Sequence, residues 1–525
     1  MSCSFALVTL LFTTGCQPLG PQFEGFGKPP IPTQWQNEGI KNEKEIAKWW
    51  KIFGDSTLDR LIQKAYAQNL NLKSAGLRII QSRAILGVNE GYKLPQKQTL
   101  SGSGASVRSQ DTGFTTASIN FDIGWEMDFW GKYARNIESS QSNLYLSIAS
   151  YNDIMVSIIA EVARNYINYR TAQERIAYAK RNITIQERVT ELTKVQFNAG
   201  NVSELDLQQS LSQLYNTKAL LPLVELSKVK AKNALALLLG MNSSDIEPIL
   251  QLRDKRFSDS LGKYIAKSKR DILQIKQKSQ DILNVTIIPT AKFNPNYSID
   301  ANLLTRRPDI KVAEYKVRSN NALIGATIAE LYPSFSLFGN IGYNTNNSSG
   351  SWTPSSQAIG VSVGPAFSWN ILQYGRIKNQ IRLKDALFEE SLVDYNQQIL
   401  LAVQEISDAL SGYTLGKQQQ EENYKAVEAT VRAFNISVIQ YNDGLVGYER
   451  LLTTVENLTR TQDQYAQIKG NLATNIVLLY KALGGGWQIS RGRSYLSTKT
   501  AQKMKKRIDW GQYLDQNMTQ LPKGI

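Results

Sequence analysis

Two short stretches decide how this chain folds: residues 196–202, QFNAGNV, and residues 440–446, QYNDGLV. Each closes a long helical run and opens another, continued by SELDLQQSL in the first case and GYERLLTTV in the second. Gly200 and Gly444 stand 244 positions apart. A tight turn between two helices calls for a positive φ, which glycine adopts without a Cβ clash. The same spacing relates Trp125 to Trp369, Gly131 to Gly375, Glu161 to Glu405, and Leu239–Gly240 to Leu483–Gly484. Further upstream, Ala75, Ala84, Gly87 and Pro95 match Ala313, Ala322, Gly325 and Pro333 at a spacing of 238. The chain is therefore two tandem copies of one unit.

The helical runs that reach these turns are long. Residues 132–196 contain no proline, and Met155, Ile158, Val162, Tyr169, Ala172, Ile176, Ala179 and Ile183 recur at helical spacing. Residues 376–440 repeat the run at equal length. One helix of that extent is about 100 Å long, against a globular average of about 11–12 residues. After the second turn Leu451, Val455, Leu458, Gln462, Tyr465, Lys469, Leu472 and Ile476 follow a 4–3 spacing. The matching run in the first copy is less apolar, and Pro222 predicts a kink there. These are the marks of antiparallel coiled-coil hairpins.

Ahead of each long run the period changes from 3.6 to 2. Ala117, Ile119, Phe121, Ile123 and Trp125 alternate with Ser118, Asn120, Asp122, Gly124 and Glu126. Ile359, Val361, Val363, Pro365, Phe367 and Trp369 do the same, as do Phe335, Leu337, Ile341 and Tyr343. A weaker fourth stretch lies near residues 99–109. Strands of this length and pattern suit a transmembrane β-barrel as well as a soluble sandwich. Four strands cannot close a membrane barrel, and lipid does not tolerate open edges, so the barrel reading demands an oligomer that pools strands. Trp125 and Trp369 would then stand in an interfacial aromatic girdle.

Composition narrows the chemistry. The 525 residues carry a net charge of +15, with 42% hydrophobic residues, and contain no histidine. That removes His-based triads and the usual zinc and haem ligands, and no pair of carboxylates stands out as catalytic. No enzyme activity, cofactor or metal site is expected. Lysine and arginine are scattered rather than striped, which argues against nucleic acid; the exception is KMKKR at 503–507. Mean hydropathy is −0.31, and no window approaches the roughly 20 apolar residues of a spanning helix.

The chain opens MSCSFALVTLLFTTG, an apolar core followed by small residues, as in a secretory signal without a basic start. Thr13-Thr14-Gly15-Cys16 resembles a bacterial lipobox, with Thr13 where leucine is usual; the plain alternative is a signal helix followed by an ordinary cysteine. Lipidation at Cys16 would anchor the chain without spanning the membrane. Five prolines between residues 18 and 32 then favour an extended lead. The expected organisation is a signal peptide (1–15), a lipid-anchored linker (16–44) and a first repeat (45–250, strands about 99–109 and 114–127). An inter-repeat linker (251–302), a second repeat (303–487, strands about 334–345 and 356–369) and a basic tail (488–525) complete it.

Taken together, WWKIFGDSTLDRLI, TRRPDI at 305–310, the two turn motifs and YKALGGGW at 480–487 resemble the TolC-type outer-membrane efflux proteins, in their lipidated OprM/NodT branch. The resemblance covers nearly everything from Cys16 to Trp487. It implies an α+β membrane protein: a homotrimer in which four strands per protomer form one 12-stranded β-barrel, continued by a periplasmic α-helical barrel. It further implies a passive outer-membrane conduit for small molecules. The expected partners are a periplasmic adaptor (membrane fusion protein), an inner-membrane pump of the RND or ABC type, and outer-membrane lipid. A protein-secretion (type I) conduit and a non-channel periplasmic coiled-coil scaffold stand as alternatives. Gly200 and Gly444 would be adaptor-facing tips. Near the second tip, many relatives carry an aspartate nine residues after the glycine; this chain has Thr453 there. Glu449, Arg450 and Glu456, with Asp206 of the first copy, are the expected periplasmic gate, against the alternative of a solvated helix face.

Overall fold

The structure, a computed structural model, describes residues 18–26, 46–109, 112–251, 285, 287–291, 306–511 and 513–514. Cys16, the signal sequence, residues 27–44 and most of the 251–302 linker lie outside the described residues.

The first repeat runs α1 (Ser56–Gln68), α2 (Leu70–Gly91), β1 (Lys97–Ser109), β2 (Thr112–Met127), α3 (Lys132–Asn198), α4 (Glu204–Leu239) and the short α5 (Glu247–Gln251). The second runs α6 (Pro308–Ile328), β3 (Ser334–Asn346), the turn α7 (Ser355–Ala358), β4 (Ile359–Ser368), α8 (Arg376–Asn442) and α9 (Tyr448–Ala482); α10 (Thr498–Lys505) lies in the tail. The long helices α3 and α8 each have 67 residues. Both start at a glycine in the left-handed region, Gly131 and Gly375.

Local signals set the ends. Asp55 caps α1 by accepting from the Thr57 and Leu58 amides at 2.8 and 3.2 Å. Asn69 caps α2 and donates to the Leu238 carbonyl at 2.8 Å, which ties α2 to the far end of α4. Pro222 sits inside a single 36-residue helix. The fourth strand begins at Ile359 because residues 355–358 form a helical turn after Pro354. One stretch of α3 is apolar enough, by length and composition, to pass for a membrane span, contrary to expectation from the sequence. Half of that window is buried within the chain, so its apolarity is that of a core helix.

The four strands form one antiparallel sheet in the order β1-β2-β3-β4, with β1 and β4 at its edges. Register places Leu100, Phe121, Ile341 and Val361 in one row across all four strands, all exposed on one face. The opposite face is polar: Asn340 donates to Asp122 at 2.8 Å, and Asn120 and Asn344 exchange hydrogen bonds. Because side chains alternate strictly, a slip of one residue would exchange the two faces.

Below the sheet the long helices stand side by side in the order α4, α3, α9, α8, while α2 packs on α3 and α6 bridges α3 and α8. A core of Leu58, Leu61, Ile79, Met155, Tyr166 and Val477 knits the two repeats together. Each such aliphatic side chain contributes roughly 1.5–3 kcal/mol by leaving water. The outermost helices do not finish this way. Tyr215, Leu223 and Leu226 of α4, and Leu383, Val393 and Leu415 of α8, remain exposed.

Candidate functional site

The two tips have the same backbone construction. At the first, Asn201 N–H donates to the Gln196 carbonyl at 2.9 Å across Gly200, whose φ is +75°. At the second, Leu445 N–H donates to the Gln440 carbonyl at 2.8 Å across Gly444, at φ +72°. This six-to-one closure is the Schellman turn that a left-handed glycine permits. Among the described residues nothing lies within 4 Å of either glycine's missing Cβ, so each tip is bare on that side.

The helices that leave the two tips begin differently. Ser203 and Asp206 form a reciprocal capping box: the Asp206 carboxylate accepts from Ser203 N–H at 2.9 Å, and Ser203 Oγ accepts from Asp206 N–H at 3.2 Å. The hydrogen bonds of Asp206 therefore serve its own helix end. The second helix starts at Gly447 with no side-chain cap. Beyond it Glu449, Thr453 and Glu456 share one exposed face with Arg450 beside them, and Thr453 Oγ1 donates to the Glu449 carbonyl at 3.0 Å. The inward face is aromatic. The Tyr441 and Tyr448 rings are 6.0 Å apart, and burial pushes the Tyr448 phenol up to about 12.

Polar latches join the two hairpins higher up. Arg175 of α3 forks onto Asp463 of α9 at 2.6 and 3.1 Å, and Asn182 donates to Gln462 at 3.1 Å. Above these, Lys469 meets Glu174 at 2.7 Å in a fully buried ion pair. The pair also grips the connecting chain: Lys469 Nζ donates to the Val285 carbonyl at 2.8 Å, and Glu174 accepts from Ile288 N–H at 3.4 Å.

A cavity of about 370 Å³ opens where α6 begins, lined by Ser150, Asp153, Arg307, Asp309, Glu405 and Lys481, among others. Arg307 is its hub, reaching Asp309 at 2.7 Å, Glu405 at 2.6 Å and the Ala482 carbonyl at 2.5 Å. Burial pushes Asp309 upward, but the Arg307 guanidinium and Gln398 outweigh it and hold the carboxyl below its usual range. Asp153 goes the other way: burial, then the Asp309 charge, push it up to about 6. The arrangement clamps helix ends by charge. In the sequence Arg307 and Asp309 stand out only as part of TRRPDI, and the cluster is invisible there, since its other members lie about 90–170 positions away. No metal-binding cluster occurs among the described residues.

Toward the sheet, Trp125 Nε1 donates to the Lys93 carbonyl at 3.1 Å and Trp369 Nε1 to the Leu331 carbonyl at 3.0 Å. These are one bond, made once per repeat. Both indole rings remain partly exposed beside the apolar face of the sheet.

This doubled architecture, an open sheet standing on paired helices of about 100 Å, matches known proteins along nearly its whole length. The profile of the family described as outer membrane efflux protein matches residues 61–241 and 301–485, one segment per repeat. The chain belongs to the outer membrane efflux protein family. Probable outer membrane lipoprotein SilC of Salmonella typhimurium is 25% identical over 92% of this chain and 98% of its own length. Pyoverdine export outer membrane protein OpmQ of Pseudomonas aeruginosa is 25% identical over 88% of this chain and 92% of its own. The solved outer-membrane channel OprN superposes with a TM-score of 0.75 at 26% identity, covering 90% of this chain and 99% of that one. This efflux protein thus has the TolC-like fold, and its function is that of an outer-membrane efflux channel. These relatives are channel and efflux proteins rather than enzymes.

Proposed function

We propose that three copies of this chain assemble into one passive conduit, lipid-anchored in the Gram-negative outer membrane, with its helical tunnel in the periplasm. It receives small molecules from an inner-membrane pump, of the RND or ABC type, through a periplasmic adaptor.

The observation that carries this reading is the open sheet. Its two unpaired edges and its exposed apolar face are untenable in a single copy, in water or in lipid. Joining β4 of one copy to β1 of the next removes every edge and leaves the apolar face toward lipid, the polar face toward a pore. Register supports the closure. Lys97 pairs with Gly124 and Ser334 with Ser368, so β1 and β3 are equivalent strands. Carrying the internal Asp122–Asn340 pairing to the seam sets Ala366 opposite Ser103 of the next copy, and Trp369 opposite Leu100, apolar against apolar. The helices agree: Ala149 and Val156 of α3 are buried within the chain, while their counterparts on α8, Val393 and Leu400, are exposed.

The extended lead supports the anchor. Pro18 fills the space beside Gly131, just under the sheet, and Cys16 lies two residues earlier, within roughly 7 Å of chain. A lipid on Cys16 would enter the membrane beside the Trp125 and Trp369 girdle. At the other end, the bare tips at Gly200 and Gly444 meet the adaptor. The uncapped second tip, with Glu449, Arg450, Thr453 and Glu456, forms the gate, and the latches at Asp463 and Gln462 lie on the path of its opening.

Purified protein in planar lipid bilayers, weighed by native mass spectrometry, tests the reading. Stable conductance from a particle of three chain masses is expected; a monomer that conducts no ions overturns it.

A further inference from the structure

Two segments outside the repeats lie in equivalent grooves of the two repeats. The N-terminal lead runs along α6. A Cβ at Gly325 would strike the Leu19 carbonyl oxygen, Asn321 Nδ2 donates to the Pro21 carbonyl at 3.2 Å, and Phe26 stacks on Tyr395 at 3.9 Å. The C-terminal tail runs along α2 in the opposite direction. Tyr495 packs edge-on against Tyr151 at 5.0 Å, its carbonyl blocks a Cβ at Gly76, and the Tyr513 hydroxyl blocks one at Gly87. Gly87 and Gly325 are counterparts at 238 positions, and Tyr151 and Tyr395 at 244. Both straps therefore use the same two anchor points of the duplicated unit.

The lead does one thing more. Its upper end crosses from the second repeat to the first: Leu19 N–H donates to the Trp130 carbonyl at 3.1 Å, Arg135 Nε donates to the Leu19 carbonyl at 3.1 Å, and Pro18 covers Gly131. Trp130 itself stacks on Tyr332 at 4.7 Å and donates to the Pro333 carbonyl at 2.8 Å. The lead thus seals the seam between repeats within one chain. The counterparts of Trp130, Gly131 and Arg135 are Tyr374, Gly375 and Asn379. There the seam stands open. Tyr374 is 97% exposed and holds a φ of +48°, unusual for a side chain with a Cβ. Only Asn379 lies within 4 Å of a Cβ at Gly375. The counterparts of Tyr332 and Pro333 are Leu94 and Pro95, and Leu94 is exposed as well.

We propose that the C-terminal tail is the chain-to-chain equivalent of the lead. In the assembled channel, residues 491–511 and 513–514 of one copy, held on its own α2, cover Tyr374 and Gly375 of a neighbouring copy. The Tyr374 ring then packs on Leu94 of the copy that supplies the tail. This rests on the trimeric reading above, and through it the tail beyond Trp487 serves to seal the seam just beneath the barrel.

Site-directed cross-linking of the full-length chain in outer-membrane vesicles tests it. One double variant, Tyr374→Cys with Leu514→Cys, probes the tail and is treated with a short bismaleimide. A second, Ala366→Cys with Ser103→Cys, probes the strand seam. Both should give covalent dimers and trimers on denaturing gels, while each single variant runs as a monomer. All four side chains are exposed or half-buried, so folding is retained, and unchanged far-UV circular dichroism verifies it. Oligomers from the strand pair but only monomers from the tail pair would show that the tail lies elsewhere in a genuine trimer. Monomers from both pairs overturn the trimeric reading and this proposal with it.

Discussion

Glu174 and Lys469 carry more than one load. Their ion pair is fully buried, joins the two repeats and holds the connecting chain at Val285 and Ile288. Removing one partner leaves the other charged and desolvated, which typically costs about 3–5 kcal/mol. Lys469→Met is therefore expected to lower the denaturation midpoint strongly, and adding Glu174→Met should recover most of the loss. Equal midpoints for parent and single variant would contradict this. Asp153 makes a pH-dependent contribution of the opposite kind. Its carboxyl is pushed up to about 6 from an ordinary 3.8, so the fold binds this proton more tightly than the unfolded chain does. Stability from this group is present near pH 4 and is lost as pH rises toward 6 and beyond. Asp153→Asn should raise the melting temperature at pH 8 and leave it unchanged near pH 4. Neither residue announced itself in the sequence. Lys469 stood in the heptad series as one more core position, and Asp153 acquires its environment from Arg307, Asp309 and Glu405, which the fold alone brings close.

The tips show which part of an element is legible. Glycine, a helix on either side and a second copy at fixed spacing sufficed to read both turns, because a left-handed C-cap is a local requirement. Asp206 was harder. Its place three residues after Ser203 satisfies the capping box, yet the same residue also reads as a charge near a gate. The structure commits its hydrogen bonds to the cap. Because Gly447 is itself a tolerated N-cap, the capped α4 and the α9 that lacks a capping side chain differ by only about a few tenths of a kcal/mol at their first turns. On the proposed gate reading, the tip without a capping side chain is the one that moves. Reversing the charges of Glu449, Arg450 and Glu456 together should then raise single-channel conductance by disrupting closure. The same reversal at Glu204 and Lys218 of α4 should leave it near the parent value. Unchanged conductance in the α9 variant removes these residues from the gate.

At the scale of the whole molecule, the period of the sequence was enough for architecture. Switching from period 3.6 to 2 and back, twice, specifies two hairpins and four strands, and four strands require neighbours. The tail was opaque for a physical reason: its anchors, Tyr151, Gly76 and Gly87, are as many as about 430 positions away, and no local period encodes such packing.

In the proposed orientation, the sheet also determines how little of this protein a cell displays. At the end of the sheet away from the helices, Ser109 and Thr112 are already paired, and among the described residues the other crossing is the connection 347–358 between β3 and β4, which includes α7. The described helices and the described parts of the lead and tail lie at the opposite end. In the proposed orientation, antibodies, phages and proteases outside the cell would meet, among the described residues, chiefly 347–358. Gly350 there has a φ of +89° and open space around it. A peptide epitope inserted after Gly350 should be detected on intact cells, whereas one fused after Ile525 should appear only once the outer membrane is permeabilised.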